Sequence, residues 1–218
     1  MNKKAVIFDM DGVLIDSEPC YLEMFREFLV KNHMTPDEEI LKAIAGASSP
    51  QTWTYMAQMW GSPITPEELH REFRRQYPTF SVPYGTVLFP KIRELLQTLH
   101  QHGLNLSIAS SSSRKAIDRM LQETELTPYF THIVSGEMFH ESKPNPEIYL
   151  HTLSLIGFLP EECIVVEDST YGIQAAKAAG LEVVARKDTR FSFDQSQADY
   201  FIEQTADLAS LLHIPFTL

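Results

Sequence analysis

Two aspartates separated by one residue, Asp9 and Asp11, follow a short apolar run near the start of the chain. The run from Ala5 to Phe8 is typical of a buried parallel strand, and Gly12 allows the chain to turn directly afterwards. We therefore expect both carboxylates at the carboxyl edge of a strand, where open α/β sheets bind their ligands. Such a pair suits a hard cation such as Mg²⁺, and one acid could be a nucleophile with its neighbour as general acid/base. An isolated Asp-x-Asp is more often a strand-end turn with solvated acids, so the interpretation depends on the later motifs.

Four consecutive serines, Ser110 to Ser113, follow a second apolar run at residues 106–109. Apolar residues at helical spacing come next, which predicts a strand, a serine loop and a helix beginning near Arg114. The N–H groups and dipole at the start of such a helix favour an anion. N-capping alone would need one serine and leaves three unexplained. We therefore assign Ser110, the first after the strand, and its neighbour Ser111 to phosphate binding.

Lys143 stands before two prolines, Pro144 and Pro146, and the second is placed to open a helix. A lysine on a chain stiffened by proline presents a fixed ammonium, which could neutralise carboxylate and phosphate charge together. An isolated Lys-Pro is usually a surface loop. The functional interpretation depends on the position of this one between the second and third apolar runs.

A third apolar run, residues 163–166, ends in two adjacent acids, Glu167 and Asp168, and a helical pattern follows that stops at Gly180. Two acids at another strand end would complete a Mg²⁺ site begun by Asp9. The alternative is that they only favour the N-terminus of the following helix electrostatically.

Taken together and in this order, the four motifs resemble the haloacid dehalogenase superfamily of phosphotransferases. They are Asp9-Met10-Asp11-Gly12, Ser110, Lys143-Pro144 and Glu167-Asp168-Ser169, and the resemblance spans roughly residues 4–185. The Asp-Gly-Val-Leu-Ile-Asp-Ser-Glu pattern near the start and Glu-Asp-Ser near the end are similar to the β-phosphoglucomutase-like subgroup. The resemblance implies an enzyme that acts on a small phosphomonoester and uses Mg²⁺ as its cofactor.

The resemblance also implies a role for each motif. Asp9 would attack phosphorus to form an aspartyl phosphate, and Asp11 would act as the general acid and base. The metal would be held by Asp9, the backbone carbonyl of Asp11 and Asp168. Glu167, not itself a ligand, would orient a water bound to the metal. The residues assigned to the phosphoryl oxygens are Ser110, Ser111 and Lys143.

About seventy residues after the first strand carry helical patterns and no strong strand signal. These patterns cover residues 20–30, 38–45, 52–60 and 67–77. The α/β alternation resumes from Val87 with a helix at 91–100, and a strand at 199–202 and a helix at 206–212 close the chain. We expect an α/β fold, a doubly wound, mainly parallel Rossmann-like sheet with an inserted α-helical domain. The predicted catalytic core is residues 1–14 and 85–218, and the helical domain is residues 15–84.

The resemblance implies that the helical domain is a mobile cap, which closes over the catalytic edge and recognises the non-phosphate part of the substrate. Such a cap would shield a phosphoryl intermediate from water during transfer. We expect hinges at residues 14–18 and 82–85, where Pro83 and Gly85 punctuate the chain.

The sequence leaves two reactions open, phosphate hydrolysis and phosphoryl transfer within a sugar phosphate. In the β-phosphoglucomutases that the motifs resemble, a histidine of the cap follows the first motif and a basic loop reads Lys-Gly-x-Ser-Arg. Here the corresponding positions hold Tyr21, Ala45 and Ser49, within the loop Ala45-Gly46-Ala47-Ser48-Ser49. A mutase needs a cationic site for a second phosphate, and this loop lacks one, so we expect a phosphatase. Arg114 could replace that cation in part, which keeps a mutase as the alternative; we assign Tyr21, Ser49 and Arg114 to substrate binding.

A receiver-like signalling domain is a third candidate. Such domains also place acids, a hydroxyl residue and a lysine around a phosphoaspartate on a doubly wound sheet. They need neither an acid two residues after the nucleophile nor a helical insertion, which makes this the minor alternative.

The net charge of −11 over 218 residues argues against a nucleic-acid partner and suits a small substrate attracted by a local positive site. No apolar run approaches the length of a membrane span. The first strand begins at Ala5, which leaves no room for a signal peptide. Cys20 and Cys163 are expected to be reduced thiols. We therefore expect a cytoplasmic protein without a membrane partner, and a monomer because the cap must move freely.

Overall fold

The computed structural model describes residues 3–47 and 49–216. Within these, the chain forms two compact units. The sheet unit comprises residues 3–16, 84–189 and 193–216, and the helical unit comprises residues 17–47, 49–83 and 190–192. A run of helix-forming sequence is therefore inserted after the first strand, and a short later segment also belongs to the helical unit.

The sheet unit is built on six parallel strands within the described residues, in the order β3-β2-β1-β4-β5-β6. The strands are β1 Ala5–Phe8, β2 Asn105–Ser110, β3 His132–Ser135, β4 Cys163–Glu167, β5 Glu182–Arg186 and β6 Tyr200–Ile202. The chain order reverses at β1, which pairs with β2 on one side and β4 on the other. The expected doubly wound α/β fold is confirmed, and ligands of such sheets bind at this reversal point.

Strands β1, β2 and β4 lie where the sequence predicts them because each is a buried apolar run. Strands β3 and β5 are not identified from the sequence. Each offers only two or three consecutive apolar residues between polar ones, as in Glu182-Val-Val-Ala-Arg186. In β5 the central Val183, Val184 and Ala185 are fully buried by the neighbouring strands and helices, which supply the context that the sequence lacks.

Helices cover the sheet on both sides, as expected for consecutive β-α units. They are α5 Ile92–Gln101, α6 Arg114–Glu123, α7 Glu147–Ile156, α8 Thr170–Ala178 and α9 Leu208–Leu211. Side chains of α7 and α8, among them Ile148, Tyr149 and Ile173, form one core with Ile7 and Val165 of the sheet. Strands β2 and β4 each lead after a short loop into a helix, α6 and α8 respectively.

The helical unit contains α1 Glu18–Lys31, α2 Glu38–Ile44, α3 Ser49–Gln58 and α4 Pro66–Gln76. Its core packs aromatic rings, with Phe28 against Phe73 at 5.3 Å and Phe25 against Trp53 at 5.8 Å between centroids. Helix α1 begins two residues earlier than the apolar pattern suggests because Pro19 fits the first helical turn. The four helices are those that the sequence predicts, with ends shifted by a few residues.

Cys20 is partly buried, Cys163 is buried, and the two do not form a disulfide. Burial raises the pKa of the Cys163 thiol to about 11, so this side chain behaves as a small apolar residue of β4. Within residues 3–47 and 49–216, no helix combines the length and apolar character that crossing a bilayer requires.

Candidate active site

The ammonium of Lys143 joins the carboxyl ends of three adjacent strands. It donates to Oδ1 of Asp9 at 2.6 Å, to Oε1 of Glu167 at 2.6 Å and to the carbonyl of Ala109 at 2.9 Å. The parallel register pairs Phe8 with both Ile108 and Val166, so the next residue of each strand lies at the same level. The side chain is almost fully buried. A cation fixed in this way can neutralise charge where three strand ends meet.

The electrostatic environment keeps Lys143 charged. Burial alone would lower its pKa, but the carboxylates of Asp9 and Glu167 outweigh burial, and the pKa lies well above its usual range. The Lys143 ammonium nitrogen also lies over the ring of Tyr149, at 5.1 Å from the ring centroid. The site therefore contains a permanent positive charge next to Asp9.

Glu167 is fully buried and its two oxygens are occupied by protein donors. Oε1 accepts from Lys143 and, at 2.7 Å, from the hydroxyl of Tyr149. Oε2 accepts from the backbone N–H groups of Asp168 and Ser169 and from the Ser169 hydroxyl at 3.1–3.3 Å. These five donors fully use the hydrogen-bond acceptor capacity of the Glu167 carboxylate. Glu167 is therefore placed to hold other groups in position rather than to bind a ligand directly.

Glycines provide the space around Glu167 and Asp168, the two acids at the end of β4. A Cβ at Gly172, in the first turn of α8, would overlap the Glu167 carboxylate. A Cβ at Gly12 would overlap the Asp168 carboxylate, and Gly12 has φ of +76°, which side chains also disfavour. The backbone after Asp11 thus passes in direct contact with Asp168, and it does so because residue 12 has no side chain.

Carboxylate oxygens of Asp9, Glu167 and Asp168 lie within 4.8 Å of one another and form an acidic cluster. Because Glu167 is already occupied by protein donors, Asp9 and Asp168 are the members of this cluster that fit a hard divalent cation. Burial and the negative charges of Glu167 and Asp11 raise the pKa of Asp9, Lys143 opposes the rise, and the net value is about 8. A second cation would relieve this concentration of buried negative charge, and oxygen donors are the ligands that Mg²⁺ prefers.

The four serines do different things. Ser110 is buried, and its hydroxyl oxygen accepts from the Ser112 N–H at 3.1 Å. Ser111 is exposed, and its hydroxyl oxygen accepts from Ser142 at 3.1 Å. Ser112 donates to Oδ2 of Asp11 at 2.8 Å, and Ser113 caps α6 through the Ala116 N–H at 3.2 Å. The loop therefore places one hydroxyl on Asp11 and leaves N-capping to its last member.

Arg114 has partners of its own at the start of α6. Its guanidinium pairs with Asp118 at 2.8 Å and donates to the carbonyl of Ile133 at 3.2 Å, and its side chain is half exposed. Its backbone N–H donates to the Glu137 carboxylate at 2.9 Å, so this helix N-terminus already faces an acid. The sequence suggests an anion at this helix N-terminus, and the Glu137 carboxylate already occupies part of that position.

Tyr21 and Ser49 belong to the helical unit. Tyr21 is half-buried in α1, stacked on Phe25 at 6.5 Å and next to Phe80 at 5.8 Å between centroids. Ser49 is exposed at the first position of α3, and Ser48 of the same loop lies outside the described residues. Ala45, the other position compared with the basic loop, is buried.

Sequence reasoning missed Ser112, Tyr149, Arg186 and Gln195. Arg186 at the end of β5 donates to the carbonyl of Gly12 at 3.1 Å and stacks over Phe89 at 3.9 Å. Gln195 donates its amide to the carbonyls of Asp168 and Arg186 at 2.6 and 2.8 Å. Ser112 was visible as one of four serines, whereas the contacts of Arg186 and Gln195 bridge distant segments and leave no local pattern.

The family described as haloacid dehalogenase-like hydrolase matches residues 6–186. A phosphorylated carbohydrates phosphatase of Thermotoga maritima is 34% identical over 188 residues, 82% of each chain. Hexitol phosphatase B of Escherichia coli is 30% identical over 215 residues, 93% of this chain and 94% of the relative.

Solved structures resemble nearly the whole chain, among them the following two. One is a putative beta-phosphoglucomutase from Thermotoga maritima, with a TM-score of 0.72 and 27% identity. The match covers 96% of this chain and 98% of the Thermotoga chain. The other is a predicted phosphoglycolate phosphatase from Haemophilus somnus, with a TM-score of 0.80 and 22% identity. The match covers 97% of this chain and 99% of the Haemophilus chain, and the two share the same fold.

Proposed function

The chain belongs to the haloacid dehalogenase-like hydrolases, and from this premise we propose that it is a Mg²⁺-dependent phosphatase of a small sugar phosphate. The placement of Lys143 against Asp9, beside Glu167 and Asp168, carries the proposal. This arrangement puts a buried nucleophile next to a fixed positive charge and an acidic cation site. The similarity to phosphatases of phosphorylated carbohydrates and of hexitols favours a sugar phosphate.

In the first step the Asp9 carboxylate attacks phosphorus, the bond to the ester oxygen breaks and Asp11 protonates that oxygen as it leaves. In the second step Asp11 removes a proton from water, whose oxygen attacks the phosphorus of the aspartyl phosphate. The bond to Asp9 then breaks and inorganic phosphate is released. The two aspartates thus divide the reaction into two displacements with one proton transferred in each.

Lys143, Ser110 and Ser111 hold the phosphoryl oxygens in this proposal. Lys143 lies next to Asp9 and can stabilise the charge that develops on the transferring group. The Ser110 hydroxyl oxygen accepts from Ser112, which orients the hydroxyl and leaves its proton to donate. Ser111 pairs with Ser142, directly before Lys143, so the serine loop and the lysine segment are joined.

Asp9, Asp168 and the backbone carbonyl of Asp11 would hold Mg²⁺. When bound, the ion allows a phosphate ester to approach the Asp9 carboxylate by neutralising negative charge. Glu167 contributes through the groups it fixes, because its oxygens already accept from Lys143 and from the backbone around Asp168. We extend the proposal to the helical unit, which would act as the cap that recognises the sugar and would contribute Tyr21 and Ser49.

A β-phosphoglucomutase is the second candidate, favoured by the similarity to the Thermotoga structure of that description. A mutase must hold a sugar with two phosphates and therefore needs a second cationic site. Arg114 would have to supply it, and its guanidinium is already paired with Asp118 and the Ile133 carbonyl. A receiver-like domain does not require an inserted helical unit, so the four helices after β1 argue against this candidate. These observations favour hydrolysis.

The experiment is Mg²⁺-dependent phosphate release from a panel of sugar, hexitol and short-chain phosphomonoesters. A parallel assay follows conversion of β-glucose 1-phosphate to glucose 6-phosphate with the bisphosphate supplied. Release without conversion supports the phosphatase, and the preferred ester identifies what the helical unit recognises. Conversion faster than release would assign the mutase, and absence of both activities would contradict the proposed function.

A further inference from the structure

The contact between Ser112 and Asp11 has no role in the reaction as described so far. The Ser112 hydroxyl donates to Oδ2 of Asp11 at 2.8 Å, across 101 residues of sequence. The capping of α6 belongs to Ser113, so Ser112 is not needed for the helix. A serine directly bonded to the proposed acid/base is placed to control how that carboxylate is oriented.

The backbone of Ser112 is held from both sides by buried hydroxyls. Its N–H donates to the Ser110 hydroxyl at 3.1 Å, and its carbonyl accepts from the Ser135 hydroxyl at 2.7 Å. Ser110 and Ser135 are opposite each other in the pairing of β2 with β3, and both are essentially inaccessible to solvent. Two neighbouring strand ends thus fix the position from which Ser112 reaches Asp11.

Gly136, the residue directly after β3, makes room for this arrangement. A Cβ at Gly136 would lie 3.0 Å from the Ser111 Cα and 3.2 Å from the Ser111 carbonyl oxygen, which is tighter than ordinary packing. The serine loop therefore passes close to the segment that follows β3, and its path depends on the glycine at position 136. Ser112 is held by a local structure that extends over two strands.

We infer that Ser112 is a positioning residue for the general acid/base Asp11, an inference that rests on the proposed phosphatase function. A carboxyl group can rotate about its terminal bond, and proton transfer requires the correct oxygen to face the leaving group. In this proposal Oδ2 accepts the hydroxyl proton of Ser112, and Oδ1 carries the transferable proton. In the first step that proton moves from Oδ1 to the ester oxygen as the P–O bond breaks, and in the second step Oδ1 takes a proton from water.

The test is how strongly the rate depends on the leaving group. A sugar phosphate releases an alkoxide that needs a proton, whereas p-nitrophenyl phosphate releases a stable phenolate that does not. We expect Ser112→Ala to lower kcat/KM, which reports the first step and not the second step common to both esters, about 10- to 100-fold for the sugar phosphate. The same substitution should change kcat/KM for the nitrophenyl ester less than about threefold. Ser112→Thr, which keeps the hydroxyl, should restore most of the lost rate.

Ser113→Ala is the matched control. It removes a hydroxyl from the same loop and loosens the start of α6, but it should not change the ratio of the two rates. In an Asp11→Ala background, Ser112→Ala should have no further effect on either ester, because its partner is already absent. Thermal unfolding of each variant checks that the fold is retained.

Equal losses on both esters, or no loss, would overturn the role of Ser112 while leaving the phosphatase intact. The same holds if Ser112→Ala and Asp11→Ala are additive, or if Asp11→Ala itself shows no preference for the activated ester. A wild-type protein that hydrolyses neither ester, nor any in the panel, would instead refute the proposed function on which the inference rests.

Discussion

The ammonium of Lys143 lies 2.6 Å from Oδ1 of Asp9, a residue 134 positions earlier in the chain. The pair is buried at the ends of the central strands, where an unpaired charge would be costly. The same ammonium contacts Glu167, so one cation offsets two acids that the fold would otherwise hold together in a poorly solvated place. The site and the stability of the sheet unit are therefore linked through this residue.

Replacing Lys143 with methionine should destabilise the protein as well as inactivate it. The variant leaves Glu167 buried without its cation, and breaking a buried pair by removing one partner costs about 3–5 kcal/mol. Denaturant unfolding measures the loss. Lys177→Met is the control, because Lys177 pairs with Asp199 where both side chains are about one-third exposed, and such pairs contribute about 0–1 kcal/mol. Equal effects of the two substitutions would contradict the account.

The hydroxyl of Tyr149 should stabilise the ionised Glu167. Tyr149→Phe keeps the buried ring and removes one donor to a buried carboxylate, which should lower the free energy of unfolding by about 1–3 kcal/mol. Tyr200→Phe provides the comparison, since that hydroxyl reaches Glu182 only at 3.3 Å and nearer the surface. A loss for Tyr149→Phe no larger than that for Tyr200→Phe would show that the Glu167 contact contributes little.

Gly12→Ala should be more damaging than Gly103→Ala. Both glycines have positive φ, +76° and +79°, so both substitutions cost about 1–2 kcal/mol of backbone strain. A Cβ at Gly103 meets nothing within 4 Å, whereas one at Gly12 overlaps the Asp168 carboxylate. We therefore expect weaker Mg²⁺ binding in Gly12→Ala and unchanged Mg²⁺ binding in Gly103→Ala, both measured by calorimetric titration. Equal Mg²⁺ affinities in the two variants would show that Asp168 tolerates displacement.

The acidic cluster should bind Mg²⁺ in the absence of substrate. Mg²⁺ should raise the unfolding temperature of the wild-type protein because a ligand of the native state stabilises it by mass action. Asp168→Asn removes one carboxylate of the cluster and should abolish most of this increase. Asp199→Asn is the control: Asp199 pairs with Lys177 outside the cluster, so this substitution should leave the increase unchanged. An unchanged increase in Asp168→Asn would place the metal elsewhere.

The sequence predicts the parts of the site that follow strands. Asp9, Ser110 and Glu167 come at the end of buried apolar runs, and parallel strands bring such ends to one edge. It does not predict contacts made by groups whose partners are distant in the chain, such as Arg186 with the Gly12 carbonyl or Ser112 with Asp11. Those contacts depend on the path of each loop, and local patterns contain no information about it. The short strands β3 and β5 were missed for a related reason, because their neighbours rather than their own composition make them strands.

The central claim is that Asp9 performs Mg²⁺-dependent phosphoryl transfer, and the most direct test compares the wild-type protein with Asp9→Asn. The measurement is phosphate release from the preferred ester with Mg²⁺ and with a chelator, together with thermal unfolding of both proteins. The account predicts release by the wild type with Mg²⁺ only, and a loss of about 10³-fold or more in Asp9→Asn, which keeps the shape of the side chain but not its nucleophile. A folded Asp9→Asn protein that retains activity within about tenfold of the wild type would contradict the account.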